Sequence, residues 1–190
     1  MIMGTVVVLP SFKLEHSDWQ QVNIGHRQLQ VLDYQQFQLH PYTFDQLVQA
    51  VVDHLRTVAQ PVILIGEDFG ALVALRAAVD LLGRLDRLIL VRPHCQASTN
   101  LLNSGLFQPT PLDRHQLKSL KQSLQGVDLT GELMHVQGLT YLFAGEQDRK
   151  NRRVAQELKN RLIDGHLEVV PKMGKTLNEA GIKALSENLR

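Results

Sequence analysis

The sequence contains one cysteine, Cys95, so no disulfide can close within the chain, and a lone thiol is most at home in a reducing compartment. Neither sign of charge dominates. Against 20 Lys and Arg stand 19 Asp and Glu, a formal net charge of +1, with no basic stripe of the kind that follows phosphates. Nucleic acid is therefore not an expected partner. No apolar run approaches the length of a membrane span, and "MIMGTVVVLP" has no charged leader ahead of its apolar stretch. A cytoplasmic location and no membrane partner are expected. Repeats, low-complexity tracts and domain linkers are also missing. So are a metal-ligand cluster and a dinucleotide-binding fingerprint, and neither a metal nor a cofactor is expected.

What is present is a chain of 190 residues, 44% hydrophobic, long enough to bury one sizeable core but short for two. One domain over residues 1–190 is expected. "TVVVL" (Thr5 to Leu9) is a continuous β-branched run suited to a strand buried on both faces of a parallel sheet. Similar runs recur as "LQVL" from Leu29, "VILI" from Val62, "RLILV" from Arg87, "LTYLF" from Leu139 and "LEVV" from Leu167. Between them lie segments of helical period. In the clearest, Phe44, Leu47, Val48, Val51, Val52, Leu55 and Val58 share one face, with Thr43 placed to cap and Gln46 at the reciprocal position. Further helices are expected near 70–82, 151–163 and 176–189. The alternation predicts an α/β fold with a mainly parallel sheet of about six strands. One stretch, Arg92 to Gly138, is too long for a plain connection and reads as a small lid insertion. It should carry a helix over about 113–124 with Leu117, Leu120 and Leu124 facing inward.

In open α/β sheets ligands collect beyond the carboxyl ends of the strands, so the residues that follow each strand are the candidates. In "GEDFG", Gly66 and Gly70 flank Asp68 at the spacing that a sharp strand-to-helix turn needs, since the central residue is strained and its neighbours must lack bulk. The chain resembles the α/β-hydrolase superfamily, with "GEDFG" in place of G-x-S-x-G. It is similar there to the haloalkane and haloacetate dehalogenases and epoxide hydrolases, which put Asp at this position. The resemblance implies a carboxylate that attacks carbon and forms an ester intermediate. It extends over "VVVLPSFKLEHSDW" with Trp19, over "VLDYQQF", and over "LFAGEQD", which implies Asp148 as the orienting acid. The first parallel strand is expected at Thr5, without the family's leading antiparallel strands before it.

Near the C-terminus the pattern departs. The resemblance calls for Gly-His before the final helix, and "VVPKMGKTLNEAG" puts Lys175 there. Histidine releases such an ester because it titrates near working pH. A lysine flanked by two carboxylates is held in its charged form and makes a poor base, so Lys175 is expected to be a salt-bridged spacer between Asp68 and Asp148. The oxyanion loop reads Pro10-Ser11-Phe12, and Pro10 has no N–H. The remaining donors are the amide of Phe69 and one from Ser11 or Phe12. Asp148 also suits a helix N-cap, Asp33 a strand-ending turn, and Glu67 is expected to face solvent or the lid. Among the histidines, His94 and His40 lie at the correct edge of the sheet to serve as a displaced base. His16, His26, His54, His115, His135 and His166 have weaker positions. "MGKT" is not a phosphate-binding loop, because Val169 stands where its first glycine is required. Ser11, Ser98 and Ser104 lack glycines at elbow spacing.

Two functional readings follow. In the first, the chain is a degenerate relative of the hydrolases that keeps a pocket around Asp68, Asp148 and Lys175 and binds a small molecule or a protein with little or no turnover. In the second it is a working hydrolase for an ester, halide or epoxide, with Asp68 as nucleophile, Asp148 as acid, and Lys175 or a displaced histidine as base.

Overall fold

The computed structural model describes residues 4–102 and 109–190. Among these residues six strands, all parallel, form one sheet: β1 (Thr5–Leu9), β2 (Gln28–Val31), β3 (Val62–Glu67), β4 (Leu85–Val91), β5 (Thr140–Gly145) and β6 (Gly165–Val170), in the order β2-β1-β3-β4-β5-β6. Among the described residues the α-helices are α1 (Phe44–Thr57), α2 (Phe69–Leu81), α3 (Arg114–Ser123), α4 (Arg149–Arg161) and α5 (Glu179–Asn188). The strand order reverses after β2, where the chain crosses back over β1 to start β3. Among the described residues no helix is long and apolar enough to cross a membrane.

Burial on both faces explains the unbroken apolar runs. Along β1, Val7 and Leu9 join the core beneath α1 and α2, while Val6 and Val8 join a second core with Trp19 and with Leu185 and Leu189. Strands β3 and β4 divide the same way, Leu64 and Leu90 to the first core and Ile63, Ile65, Ile89 and Val91 to the second. Edge strand β6 alternates instead, with His166 and Glu168 exposed, and its apolar stretch is accordingly shorter. Thr43 accepts from the Gln46 amide at 3.3 Å, as its capping position predicts. The reciprocal capping box forms on α3 instead, between Asp113 and Gln116.

Within the 92–138 insertion, α3 packs on α1. The Phe44 amide donates to Ser123 Oγ at 2.8 Å, and Leu120 and Leu124 are buried in the first core with Leu117 packed beside them. Ser104 lies outside the described residues.

Candidate functional site

Strand β3 ends in a turn that holds Asp68 at φ 55°, ψ −108°, a conformation that side-chain-bearing residues rarely adopt. The glycines make this turn possible. A Cβ on Gly66 would fall 2.7 Å from the Ala71 Cα and the Ala74 Cβ, and a Cβ on Gly70 would overlap the backbone of Leu9 and Pro10. The turn's backbone is anchored by the Asp68 amide, which donates to the Val91 carbonyl at 3.0 Å.

The register of β3 on β4 pairs Glu67 with Val91, so Asp68 and Arg92 are neighbours one step beyond the sheet. Arg92 also has a positive φ, 50°, and its amide donates to the Phe143 carbonyl at 2.8 Å. Its guanidinium bridges two carboxylates: Nη1 lies 2.9 Å from Asp68 Oδ2 and Nη2 lies 3.3 Å from Asp148 Oδ2. The other oxygen of Asp68, Oδ1, is 2.8 Å from Nε2 of His94. Asp148 is buried and caps α4, its Oδ1 accepting from the Asn151 amide at 3.1 Å. Asn151 in turn donates from Nδ2 to the Pro93 carbonyl at 2.9 Å, tying α4 to the segment that carries Arg92 and His94. A planar fork suits this bridge, because one guanidinium presents parallel donors to two acceptors.

Asp68, Arg92, His94, Asp148 and Lys175 all line one cavity of about 630 Å³. Lys175 is exposed and forms no ion pair with either carboxylate. The bridging position expected for Lys175 is held by Arg92, whose strand-end backbone already stands between the two acids. Ser11, Phe12 and Phe69 are not among the residues that line this cavity. Phe12 and Phe69 are buried in an aromatic cluster with Tyr34, with ring centroids 5.4 to 5.7 Å apart. The Tyr34 hydroxyl donates to the Pro10 carbonyl at 2.6 Å. The Ser11 amide points at Oε2 of Glu67, 3.4 Å away.

Glu67 therefore does not face solvent or the lid. It is buried, and the Trp19 indole donates to it as well as the Ser11 amide. Burial raises its carboxyl above the usual range, opposed by Lys13 and these two donors. A carboxyl raised in the folded state favours the folded protein while protonated, and that stability is lost as pH rises from the unfolded value through the folded one. Glu67→Gln should thus raise stability more at pH 7 than at pH 4, as read by urea unfolding at both. An equal shift at the two pH values would show that no buried charge was relieved.

No protein-family model matches the sequence, nor does any curated protein. Solved structures do match the fold. A lipase-esterase related protein from Clostridium acetobutylicum superposes with a TM-score of 0.73 at 12% identity, over 99% of this chain and 93% of that one. Mouse alpha/beta hydrolase domain-containing protein 10 gives 0.70 at 16% identity, over 97% and 87%. MGS-M2, an alpha/beta hydrolase from a deep-sea metagenome library of the Medee basin, gives 0.70 at 13%, over 98% and 88%. The chain has the α/β-hydrolase fold.

Asp68 stands at the strand-to-helix turn between β3 and α2, and the residues that engage it come from the segment after β4 rather than from the C-terminal segment. Arg92 was not singled out from the sequence, although the strand-end rule that selects Asp68 and Asp148 selects it equally. Among the described residues no group of three or more His, Cys, Asp or Glu side chains is arranged to hold a metal.

Proposed function

We propose that this protein is a degenerate member of the α/β-hydrolase superfamily that binds a small polar molecule in the cavity beside Asp68 with little or no hydrolytic turnover. The observation that carries this reading is the occupation of both Asp68 carboxylate oxygens, one by the Arg92 guanidinium and one by His94. A carboxylate ion-paired to a guanidinium is a weaker nucleophile than a free one, since attack on carbon must first draw the lone pair away from the cation. Two further arrangements support it. The Ser11 amide, which would stabilise a developing oxyanion, faces Glu67. Lys175, in the place of the base, is an exposed amine. Purified protein should therefore turn over neither aryl esters, haloalkanes nor epoxides. Robust multiple turnover that disappears in Asp68→Ala would reject this reading.

The contact between His94 and Asp68 favours one alternative, a working hydrolase in which Asp68 is the nucleophile and His94 the displaced base. In that scheme an Asp68 oxygen attacks the carbon of an alkyl halide, the halide leaves, and His94 takes a proton from the water that cleaves the ester. His94→Ala would then trap the ester. Intact-mass analysis after incubation with small alkyl halides and epoxides distinguishes the readings: the binding protein gains no adduct at Asp68 with or without His94. A stoichiometric adduct in His94→Ala that is absent in Asp68→Asn would establish the hydrolase instead.

A further inference from the structure

Strand β6 ends the sheet, and among the described residues no further strand pairs with its outer edge. Along a parallel strand, successive residues turn their backbone N–H and C=O groups alternately toward one neighbour and the other. The Asp164 carbonyl accepts from the Thr140 amide at 2.9 Å and the Val170 carbonyl from the Glu146 amide at 3.0 Å. Even-numbered residues therefore face β5, while Leu167 and Val169 direct both backbone groups outward and Gly165 directs its carbonyl outward. Exposed edges are usually blunted by lysine, proline or a bulge. Strand β6 has none of these: "GHLEVV" keeps an unbroken register on β5, and Pro171 comes only after its end. Apolar side chains also remain at this edge, Val169 at 41% exposure and Ile163 at 75%.

A second copy of β6 fits this edge in one antiparallel register. Outward residues must meet outward residues, so a two-fold axis near the middle of the strand passes through His166, Leu167 or Glu168. Through His166 it sets Glu168 of one copy against Asp164 of the other, and through Glu168 it sets the two Glu168 carboxylates face to face. Through Leu167 it sets His166 of each copy opposite Glu168 of the other. These two side chains suit one another: His166 meets Asp164 through Nε2 at 2.9 Å, which leaves Nδ1, and Glu168 forms no ion pair among the described residues.

We infer that the protein forms a homodimer in which two β6 strands pair antiparallel about Leu167 and join the two sheets into one. The Leu167 residues exchange both backbone hydrogen bonds, each Val169 amide donates to the Gly165 carbonyl of the other copy, and Ile163 lies opposite Pro171 of the other copy. The contact is isologous, so assembly closes at two chains. One force opposes it. Helix α4 packs over both β5 and β6, which puts the two α4 helices about 10 Å apart on one face of the joined sheet. Arg152 and Lys159 lie on the flank of α4 opposite the cavity-lining Lys150 and Glu157, toward the joint, and their mutual repulsion keeps the association weak. Since no residue of β6 lines the Asp68 cavity, the joint holds whichever way that cavity works.

Sedimentation velocity on the full chain, from about 2 µM to about 200 µM in about 300 mM NaCl to screen α4 from α4, measures the association. A species of twice the single-chain mass should grow with concentration. Val169→Pro deletes an amide that the single chain leaves outside the sheet, and it should abolish the dimer over the whole range. His166→Glu brings like charges together at two symmetric positions and should raise the dissociation constant about tenfold. Adding Glu168→Lys to it restores opposite charges and should return the constant to within about twofold of wild type. His166, Glu168 and Val169 are exposed, so melting temperatures near wild type at the lowest concentration verify that the variants fold. A wild-type protein that stays a single chain throughout would overturn the inference, and so would a dimer indifferent to Val169→Pro, whose contact must lie elsewhere. Failure of Glu168→Lys to rescue His166→Glu would reject the register about Leu167.

Discussion

Gly70→Ala should cost about 3 kcal/mol or more, enough to lower the melting temperature by about 10 °C in a chain of this length. The added Cβ would lie 2.5 Å from the Leu9 carbonyl carbon and 2.7 Å from the Pro10 oxygen, and nearer still to the Leu9 oxygen. None of these atoms belongs to a flexible side chain. Leu9 pairs with Gly66 in the β1–β3 register, so the backbone that would have to yield is part of the sheet's centre. The Pro10 carbonyl is also held by the Tyr34 hydroxyl. Gly131→Ala is the control: an added Cβ meets nothing within 4 Å, and the change should stay within about 0.5 kcal/mol. Thermal and urea unfolding measure both. A Gly70→Ala protein as stable as Gly131→Ala would mean that the elbow is not packed as tightly against β1 as described.

Asp148→Ala should lower stability by about 3 kcal/mol, and Asp148→Asn by about 2 kcal/mol, because the two substitutions remove different interactions. Asparagine keeps an oxygen for the Asn151 amide and so preserves the cap of α4, but it loses the charge that faces Arg92. Alanine loses both. Breaking a buried pair costs several kcal/mol when it strands an ion, but Arg92 retains Asp68 at 2.9 Å, which limits the loss. The interval of about 1 kcal/mol between Asn and Ala is the worth of the cap. Denaturant unfolding of Asp148→Asn, Arg92→Ala and the double variant completes a cycle with the wild type. If Asp148→Asn were harmless, the bridge would contribute nothing, and Asp148 would be a helix cap alone.

Much of the architecture was legible in residue order. Unbroken β-branched runs separated by helical periods predict parallel strands buried on both faces, and β1, β3 and β4 are of that kind because a helix lies against each side. Edge strand β6 was legible only in part, since exposed His166 and Glu168 interrupt its run. The elbow was legible because its signature is local, a strained central residue between two glycines within five residues, although what crowds Gly70 is the backbone of Leu9 and Pro10. Asp148 was legible for the same reason, as a residue that ends a strand and caps a helix.

The partners of Asp68 were not. The Asp68–Arg92 and Arg92–Asp148 contacts join residues on three strand ends that register alone brings side by side, Glu67 opposite Val91 and Val91 opposite Phe143. Nothing in the spacing of the chain tells which long side chain folds back across those ends. Lys175 follows the same sheet edge yet stays exposed, while Arg92 leaves β4 with a positive φ that accompanies its turn over the edge. Glu67 followed a different logic, buried against the Ser11 amide and the Trp19 indole from segments it does not adjoin in sequence. Residue order made the fold and the strained turn legible, because strand runs, helical periods and the paired glycines each show within a short window of sequence. Tertiary packing decided which cation neutralises Asp68 and which amide Glu67 engages, because those choices depend on side-chain direction between segments that meet only when the sheet is assembled.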